Sequence, residues 1–208
     1  MSRKIDTMEI TRVPASVYAE VTPNPTVMKF VANKVLLSED SVEFKNIDEA
    51  QPSPLAQKLF HFPFVKEVFI TGNFVAITKF NLVEWEDVTL EVREFLTQWI
   101  SESKPIYIAP VGEETLETQE AQPEAEVVPE GEIETRIVEI LEEYVRPAVE
   151  QDGGNIKFMA YEDKIVKVLL QGACSGCPSS TMTLKSGILN ILQKMLPTLV
   201  NDVEAVNG

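Results

Sequence analysis

The chain has 208 residues, a formal net charge of −15 and a hydrophobic fraction of 44%, which is enough apolar material for two small packed domains. The acidic balance argues against nucleic acid or an anionic membrane surface as a partner, and no apolar run is long enough to predict a membrane-spanning helix. With only two cysteines and no apolar signal segment at its start, the sequence predicts a cytoplasmic protein with free thiols, and neither a disulfide framework nor secretion.

Residues 1–110 alternate short strand-like and helix-like patterns, which predicts an α+β domain. In chain order we predict strands over 16–19 and 26–31, a helix over 47–60, a strand hairpin over 65–70 and 73–79, and a helix over 83–100. Ser53 and Pro54 have the residue types of a helix start. Trp85 and Trp99 lie on the apolar face of the last helix and are predicted to be core residues. The lone histidine, His61, is interpreted as structural.

Residues 111–132 differ from the rest of the chain in composition. They contain eight glutamates, no lysine or arginine, no aromatic residue and two prolines. Such a stretch buries too little apolar surface to offset the entropy of ordering it. We therefore predict an acidic, flexible and disordered linker between two domains.

Residues 133–208 have the clearest periodicity. They predict a helix over 133–148, a turn at 151–154, a strand hairpin over 155–161 and 165–170, a helix from Pro178 that stops at Pro197, and a strand over 199–206. The order α-β-β-α-β predicts a small mixed sheet covered on one face by two helices. The fold class is thus α+β, with two small α/β-sandwich-like domains joined by the linker.

Cys174 and Cys177 carry the chemistry that can be derived from the residues. Because Pro178 suits the first position of a helix, Cys177 is the expected N-cap. A helix N-terminus lowers the pKa of a thiol and stabilises a bound anion. Gly172 and Gly176 allow the backbone to approach a bulky inorganic group. Two thiolates at this spacing can ligate one metal ion or two irons of one cluster.

A C-x-x-C motif alone leaves several interpretations open. It is found in thioredoxin-like redox pairs, in half of a zinc site and in half of a cluster site, and it also occurs as two ordinary buried cysteines. A zinc site within one chain is disfavoured, because zinc requires four ligands and His61 lies in the other predicted domain. A thioredoxin core is disfavoured because too few strands surround the motif.

The residues around the motif resemble a known family. Residues 172–180, Gly-Ala-Cys-Ser-Gly-Cys-Pro-Ser-Ser, resemble the signature of the NifU C-terminal-like domain of Nfu-type proteins. Residues 145–148, 151–154 and 181–185 continue the resemblance. More weakly, residues 22–30, Thr-Pro-Asn-Pro-Thr-Val-Met-Lys-Phe, look like a motif of the Nfu N-terminal domain, whose implied role is client recognition or structural support.

This resemblance implies an iron–sulfur cluster assembly scaffold and carrier. A cubane cluster normally takes four cysteine thiolates, whereas one chain has two. The resemblance implies a [4Fe-4S] cluster shared across a homodimer, with Cys174 and Cys177 from each subunit, loaded by upstream assembly machinery and transferred to apo iron–sulfur client proteins. Binding of [2Fe-2S] stays open.

Two alternative functions stay open beside the carrier. The first is a thiol–disulfide oxidoreductase that uses Cys174 and Cys177. The second is a structural dimer bridged by zinc. The sequence has no paired carboxylates, nucleophile–base pair or nucleotide motif, so we predict that the protein is not a conventional enzyme, and we expect no nucleic-acid or membrane partner.

Overall fold

The computed structural model describes residues 14–38, 41–108, 131–175 and 178–207. Its elements form two groups, each built around one sheet. We call the group before residue 109 the N-terminal unit and the group after residue 130 the C-terminal unit. No helix in these described ranges combines the length and apolar character that crossing a bilayer requires.

The N-terminal unit is a five-stranded antiparallel sheet with two helices. Its elements are β1 (Val17–Val21), β2 (Val27–Ala32), β3 (Ser41–Phe44), α1 (Pro54–Leu59), β4 (Val65–Thr71), β5 (Phe74–Lys79) and α2 (Trp85–Ser101). The strand order is β1-β2-β5-β4-β3. Alternate residues of the central strands, such as Phe30, Val68 and Ile77, pack with Leu96 of α2 into one apolar core. Trp85 and Trp99 are buried in it, which confirms their predicted place.

The opposite face of this sheet is also covered. Because side chains alternate along a strand, β2, β4 and β5 turn a second set of residues away from the helices. These residues, Val27, Lys29, Val31, Phe69, Phe74 and Ala76, are all buried, and we call them the outer face. Its apolar members form one cluster with Ala173 of the C-terminal unit. Both faces of the sheet are therefore packed.

The C-terminal unit has the predicted order α-β-β-α-β. Its elements are α3 (Glu132–Ile140), a π-helical turn (Leu141–Val145), α4 (Arg146–Gln151), β6 (Gly154–Glu162), β7 (Ile165–Gly172), α5 (Pro178–Met195) and β8 (Asp202–Asn207). β6 pairs with β7 antiparallel and β7 pairs with β8 parallel, which confirms the mixed sheet. Residues of α3 and α5, among them Ile137 and Ile188, pack on residues of the sheet such as Val166 and Val203.

Two predicted element boundaries were wrong, and one strand was missed. The helix predicted over 47–60 begins only at Pro54, and Ser53 is its N-cap, with its side chain accepting from the Ala56 amide. Strand β3 was not predicted at all. The last strand begins at Asp202, because residues 199–201 belong to the connection that follows α5.

The predicted first helix of the C-terminal unit contains a π-helical turn that the sequence pattern did not indicate. Pro147 has no amide N–H to continue an α-helix, and its ring would crowd the carbonyl four residues earlier. The turn before it is wider, and the amide of Arg146 donates to the carbonyl of Leu141, five residues back. Of the predicted linker, residues 111–130 lie outside the described residues, and α3 already begins at Glu132.

Candidate functional site

The predicted cysteine motif lies between β7 and α5, and we call its described part, residues 172–175, the cysteine loop. Strand β7 ends at Gly172, which has a φ of 67°, a conformation that favours glycine. The amide and the hydroxyl of Ser175 both donate to the carbonyl of Gly172, at 3.1 and 2.9 Å, and these bonds close a turn over residues 173–175. Helix α5 starts at Pro178 as predicted. Cys174 therefore lies four residues before Pro178, the first residue of the helix, while Cys177 and its expected N-cap role lie outside the described residues.

Cys174 points into the C-terminal unit. The residue is 5% exposed and belongs to the same apolar core as Ile156 and Ile188. Its sulfur lies directly over the backbone of Gly154, because a Cβ atom at Gly154 would be only 2.7 Å from Cys174 Sγ. Glycine at the start of β6 thus leaves the space that the thiol occupies.

A largely apolar cavity of about 540 Å³ opens beside Cys174. The residues that line it come from α4, the π-helical turn, α5 and the N-terminal unit: Pro23, Tyr144, Val145, Ala148, Asp152, Cys174, Thr183, Leu184, Gly187, Ile188 and Ile191. Ligand pockets in proteins are concave, mostly apolar and often at the boundary between domains, and this cavity has residues of both units in its wall. It places the thiol at the wall of an accessible space.

The electrostatic surroundings of Cys174 differ from those predicted. Burial, followed by the negative charge of Asp152, raises the pKa of the thiol from 9.0 to about 12. The prediction that the helix N-terminus lowers this pKa is therefore wrong for Cys174. The sulfur is turned into an apolar core, where loss of hydration disfavours the thiolate.

Residues of the N-terminal unit also contact the cysteine loop, and the sequence pattern did not identify them. A carboxylate oxygen of Glu43 accepts from the amide of Gly172 at 3.1 Å, and the side chain of Asn24 donates to the carbonyl of Ala173 at 3.4 Å. One signal was available: β2 reads Val-Met-Lys-Phe-Val-Ala and is buried along its whole length. A strand that is apolar at nearly every position is covered on both faces.

His61 is exposed in the N-terminal unit, with Nδ1 2.7 Å from the carbonyl of Gln57, as expected for a structural residue. Within the described residues, no three side chains of His, Cys, Asp or Glu are grouped so that they could hold a metal ion.

Two protein-family models match the chain. "Scaffold protein Nfu/NifU N terminal" matches residues 17–103, and "NifU-like domain" matches residues 137–204. The second match contains the cysteine loop. The two matches agree with the two parts of the sequence that resemble the Nfu family.

Curated relatives match most of the chain. NFU1 iron-sulfur cluster scaffold homolog, mitochondrial, from Homo sapiens is 36% identical over 89% of this chain and 69% of the relative. NifU-like protein 4, mitochondrial, from Arabidopsis thaliana is 37% identical over 85% of this chain. The chain spans about two thirds of these relatives' lengths, 61% for the plant protein. A solution structure of a NifU-like protein from Saccharomyces cerevisiae covers 52% of this chain at 26% identity and a TM-score of 0.42.

The names of these relatives contradict one prediction. The composition predicted a cytoplasmic protein, but the human and plant relatives are named mitochondrial, as is an NFU1 homolog from Drosophila virilis that is 36% identical over 95% of this chain. The cytoplasmic prediction is wrong because free thiols indicate only a reducing compartment. Low cysteine content cannot separate one reducing compartment from another.

Proposed function

We propose that this chain, which belongs to the NFU1 and NifU-like family of iron–sulfur cluster scaffold proteins, holds a [4Fe-4S] cluster as cargo on Cys174 and Cys177 and passes it to apo client proteins. The observation that carries the proposal is the position of Cys174. It lies in a tight loop before α5, inside the matched NifU-like domain and at the wall of a cavity. We expect this to take place in mitochondria, as the names of the relatives suggest.

The ligand count supports a shared site. The chain has two cysteines, and a cubane cluster is held by four thiolates. Two copies related by a two-fold axis would supply four. We therefore propose a homodimer with the cluster between the subunits. The chemistry of the donors fits: thiolates are the ligands that iron–sulfur clusters take, and the loop before α5 is rich in the small residues that let the backbone approach.

In the same proposal the chain divides into residues 1–110, a linker over 111–132 and a cluster-binding domain over 133–208. The N-terminal domain supports the cysteine loop, since Asn24 and Glu43 bond to it. Upstream assembly machinery supplies the cluster, and apo iron–sulfur proteins receive it. In this role the chain binds and releases a cluster and does not convert a substrate into a product.

The alternative of a thiol–disulfide oxidoreductase is disfavoured. Disulfide exchange begins with attack by a thiolate on a disulfide sulfur. Cys174 is 5% exposed, which shields it from an incoming disulfide, and the relatives that match the chain are named iron-sulfur cluster scaffold homologs. The zinc-bridged dimer uses the same two cysteines, and metal analysis separates it from the carrier.

The test is anaerobic reconstitution of the full chain with ferrous iron and sulfide. We expect a broad brown absorption, about two irons per chain from the shared-cubane ligand count, and a dimer in size-exclusion chromatography. Cys174→Ala and Cys177→Ala should each lose all three. Ser186→Ala is the matched control, because it removes a single heavy atom from an exposed position of α5.

The outcomes are distinct. A colourless monomer with two titratable thiols would refute the carrier and favour dithiol chemistry. A colourless dimer that contains zinc would favour the structural dimer. A holo-protein that activates an apo iron–sulfur enzyme no faster than free iron and sulfide would leave a binding protein without a transfer role.

A further inference from the structure

The outer face of the N-terminal sheet is packed against the part of the C-terminal unit that carries the cysteine. Ala173, the residue before Cys174, is 3% exposed and sits in an apolar cluster with outer-face residues that include Val27, Phe69 and Phe74. The approach is close. A Cβ atom at Gly172 would lie 2.8 Å from a ring carbon of Phe69. Glycine at 172 is thus required both by its backbone conformation and by the ring above it.

Hydrogen bonds hold the two sides of this contact together. The amide of Gly172 donates to Glu43, and the carbonyl of Ala173 accepts from Asn24, which is 7% exposed. Two polar backbone groups of the loop therefore have a side-chain partner in the N-terminal unit. Buried backbone groups that lose such partners carry a desolvation penalty, so these bonds resist separation of the loop from the sheet.

A buried polar group extends the contact along β3. The hydroxyl of Ser41 donates to Gln171 Oε1 at 2.9 Å and accepts from Asn155 Nδ2 at 3.0 Å. All three side chains are less than 9% exposed. A hydrogen-bonded chain of this kind has one fixed arrangement and gives the contact a defined register.

Lys29 joins the outer face to the end of α4. Its Nζ donates to the carbonyl of Glu150 at 2.9 Å and lies 4.7 Å from the centre of the Phe74 ring. Carbonyls at a helix C-terminus are unpaired within the helix and attract a cation. Lys29 is 8% exposed and its Nζ also pairs with Glu20 of β1 at 3.2 Å, so one buried cation contacts both units.

Ala173 and Cys174 are adjacent but belong to different apolar clusters. The Ala173 side chain packs on the outer face, and the Cys174 side chain packs in the core of the C-terminal unit over Gly154. Gly172 and Ala173 thus contact the N-terminal unit, while the next residue, Cys174, is turned inward. A sulfur shared between two chains has to be at the surface of each chain.

We propose that the outer face is a docking surface for the cysteine loop of the same chain, and that this docking holds Cys174 inward and opposes cluster uptake until the loop is released. This inference rests on the proposed function, since it names what regulates the same site. Separation of the loop from Phe69, Glu43 and Asn24 is the step that frees the thiol.

The test uses the full chain with Glu43→Ala and Phe69→Ala combined, which removes a loop acceptor and the ring over Gly172. Phe80→Ala with Glu91→Ala is the matched control, because it makes the same chemical changes at exposed positions of the N-terminal unit. Lys29→Met is a second, milder variant that keeps the aliphatic stem. Tryptophan fluorescence in urea verifies that each variant folds.

Two readouts are compared. The first is amide hydrogen exchange of the peptide that spans 168–175, without iron, where we expect about tenfold faster exchange in the docking variants, as for the loss of one buried hydrogen bond. The second is cluster retention against EDTA after loading with ferrous iron and sulfide, where we expect the chelator concentration for half-loss to rise about tenfold by the same coupling.

Faster exchange with stronger retention supports the inference. Unchanged hydrogen exchange would overturn it, because the docked contact would then be absent in solution. Faster exchange with unchanged or weaker cluster retention would overturn the claim that docking opposes cluster uptake. If wild type and all variants fail to take up iron, the proposed function is overturned and this inference falls with it. A wild type that loads but is insensitive to the variants overturns the inference alone.

Discussion

Replacing Gly154 with alanine is expected to destabilise the C-terminal unit, because the space above this residue is already filled. A Cβ atom there would lie 2.7 Å from Cys174 Sγ and 2.7 Å from the carbonyl oxygen of Gln171. Rotation of the cysteine side chain relieves only the first contact. The second involves backbone at the point where Gly154 pairs with Gly172, so the β6–β7 ladder has to shift as well.

The magnitude follows from two opposing effects. Overpacking a filled interior costs about 1–3 kcal/mol, while glycine-to-alanine exchange contributes about 0.4–1 kcal/mol by restricting the unfolded chain. We expect a net loss of about 1–2 kcal/mol, which for a unit of this size lowers the melting temperature by about 5–10 °C.

Differential scanning calorimetry of the full chain measures this shift. Both tryptophans lie in the N-terminal unit, so the unfolding transition seen by tryptophan fluorescence belongs to that unit. A calorimetric transition without a fluorescence change then belongs to the C-terminal unit. Gly187→Ala is the matched control: Gly187 is on α5 with no atom within 4 Å of its added Cβ, and we expect stabilisation of about 0.5–1 kcal/mol from helix propensity.

The two substitutions should therefore move the melting temperature in opposite directions. Adding Cys174→Ala to Gly154→Ala should restore only part of the loss, because it removes the sulfur contact and leaves the contacts with the Gln171 carbonyl oxygen at 2.7 Å and with Cβ of residue 174 at 3.1 Å. Equal stability of Gly154→Ala and wild type, with Gly187→Ala stabilised as expected, would refute the inward position of Cys174.

Three further predictions test other contacts. In a Cys177→Ser background, alkylation of Cys174 by iodoacetamide, followed by peptide mass spectrometry, should be much slower in the folded chain than in urea. In the folded chain its rate should rise with pH only towards the raised pKa of about 12. Equal rates in the folded and the unfolded chain would contradict the burial of Cys174. Tyr161→Phe should cost about 1 kcal/mol in calorimetry, because its hydroxyl donates to the carbonyl of Leu199 at 2.6 Å, and an unchanged C-terminal transition would exclude that bond. Ser53→Ala should lower the free energy of unfolding in urea, followed by tryptophan fluorescence, by about 2 kcal/mol, because it removes the α1 cap and the bond that the hydroxyl donates to the carbonyl of Ile106 at 2.6 Å. An unchanged value would show that neither bond contributes to stability.

The sequence pattern predicts the fold well where apolar periodicity runs over a whole element. The hairpin of β4 and β5, helix α2 and the α-β-β-α-β order all follow from it. Strand β3 was not predicted because it has only four residues, Ser41–Phe44, which are too few to show an alternating apolar pattern. The helix predicted from residue 47 was too long because Ile47, which suggested it, is 44% exposed and lies in a turn.

The cysteine loop was found from its motif, but its surroundings could not be. Helix-start chemistry predicts a lowered thiol pKa only if the sulfur faces the helix end, and the direction of a side chain is set by packing. The partners of the loop, Asn24 and Glu43, lie 149 and 129 residues away from their bonding partners. Apolar periodicity and short motifs describe neighbouring residues, so they cannot predict contacts between residues this far apart in the sequence.

Docking and cluster binding compete for one loop, so each must weaken the other by the same factor. If docking lowers the affinity of the loop for the cluster about tenfold, a bound cluster must lower the equilibrium constant for docking by the same factor. The reactivity of Lys29 measures this, because docking buries its amine against the end of α4, beside its ion pair with Glu20. Acetylation of Lys29 by a water-soluble reagent should therefore be faster in cluster-loaded than in apo-protein, with exposed Lys58 as the internal control. Faster acetylation of Lys29 at constant Lys58 labelling would establish the linkage, and equal acetylation of Lys29 in both forms would show that the loop binds the cluster without leaving the sheet.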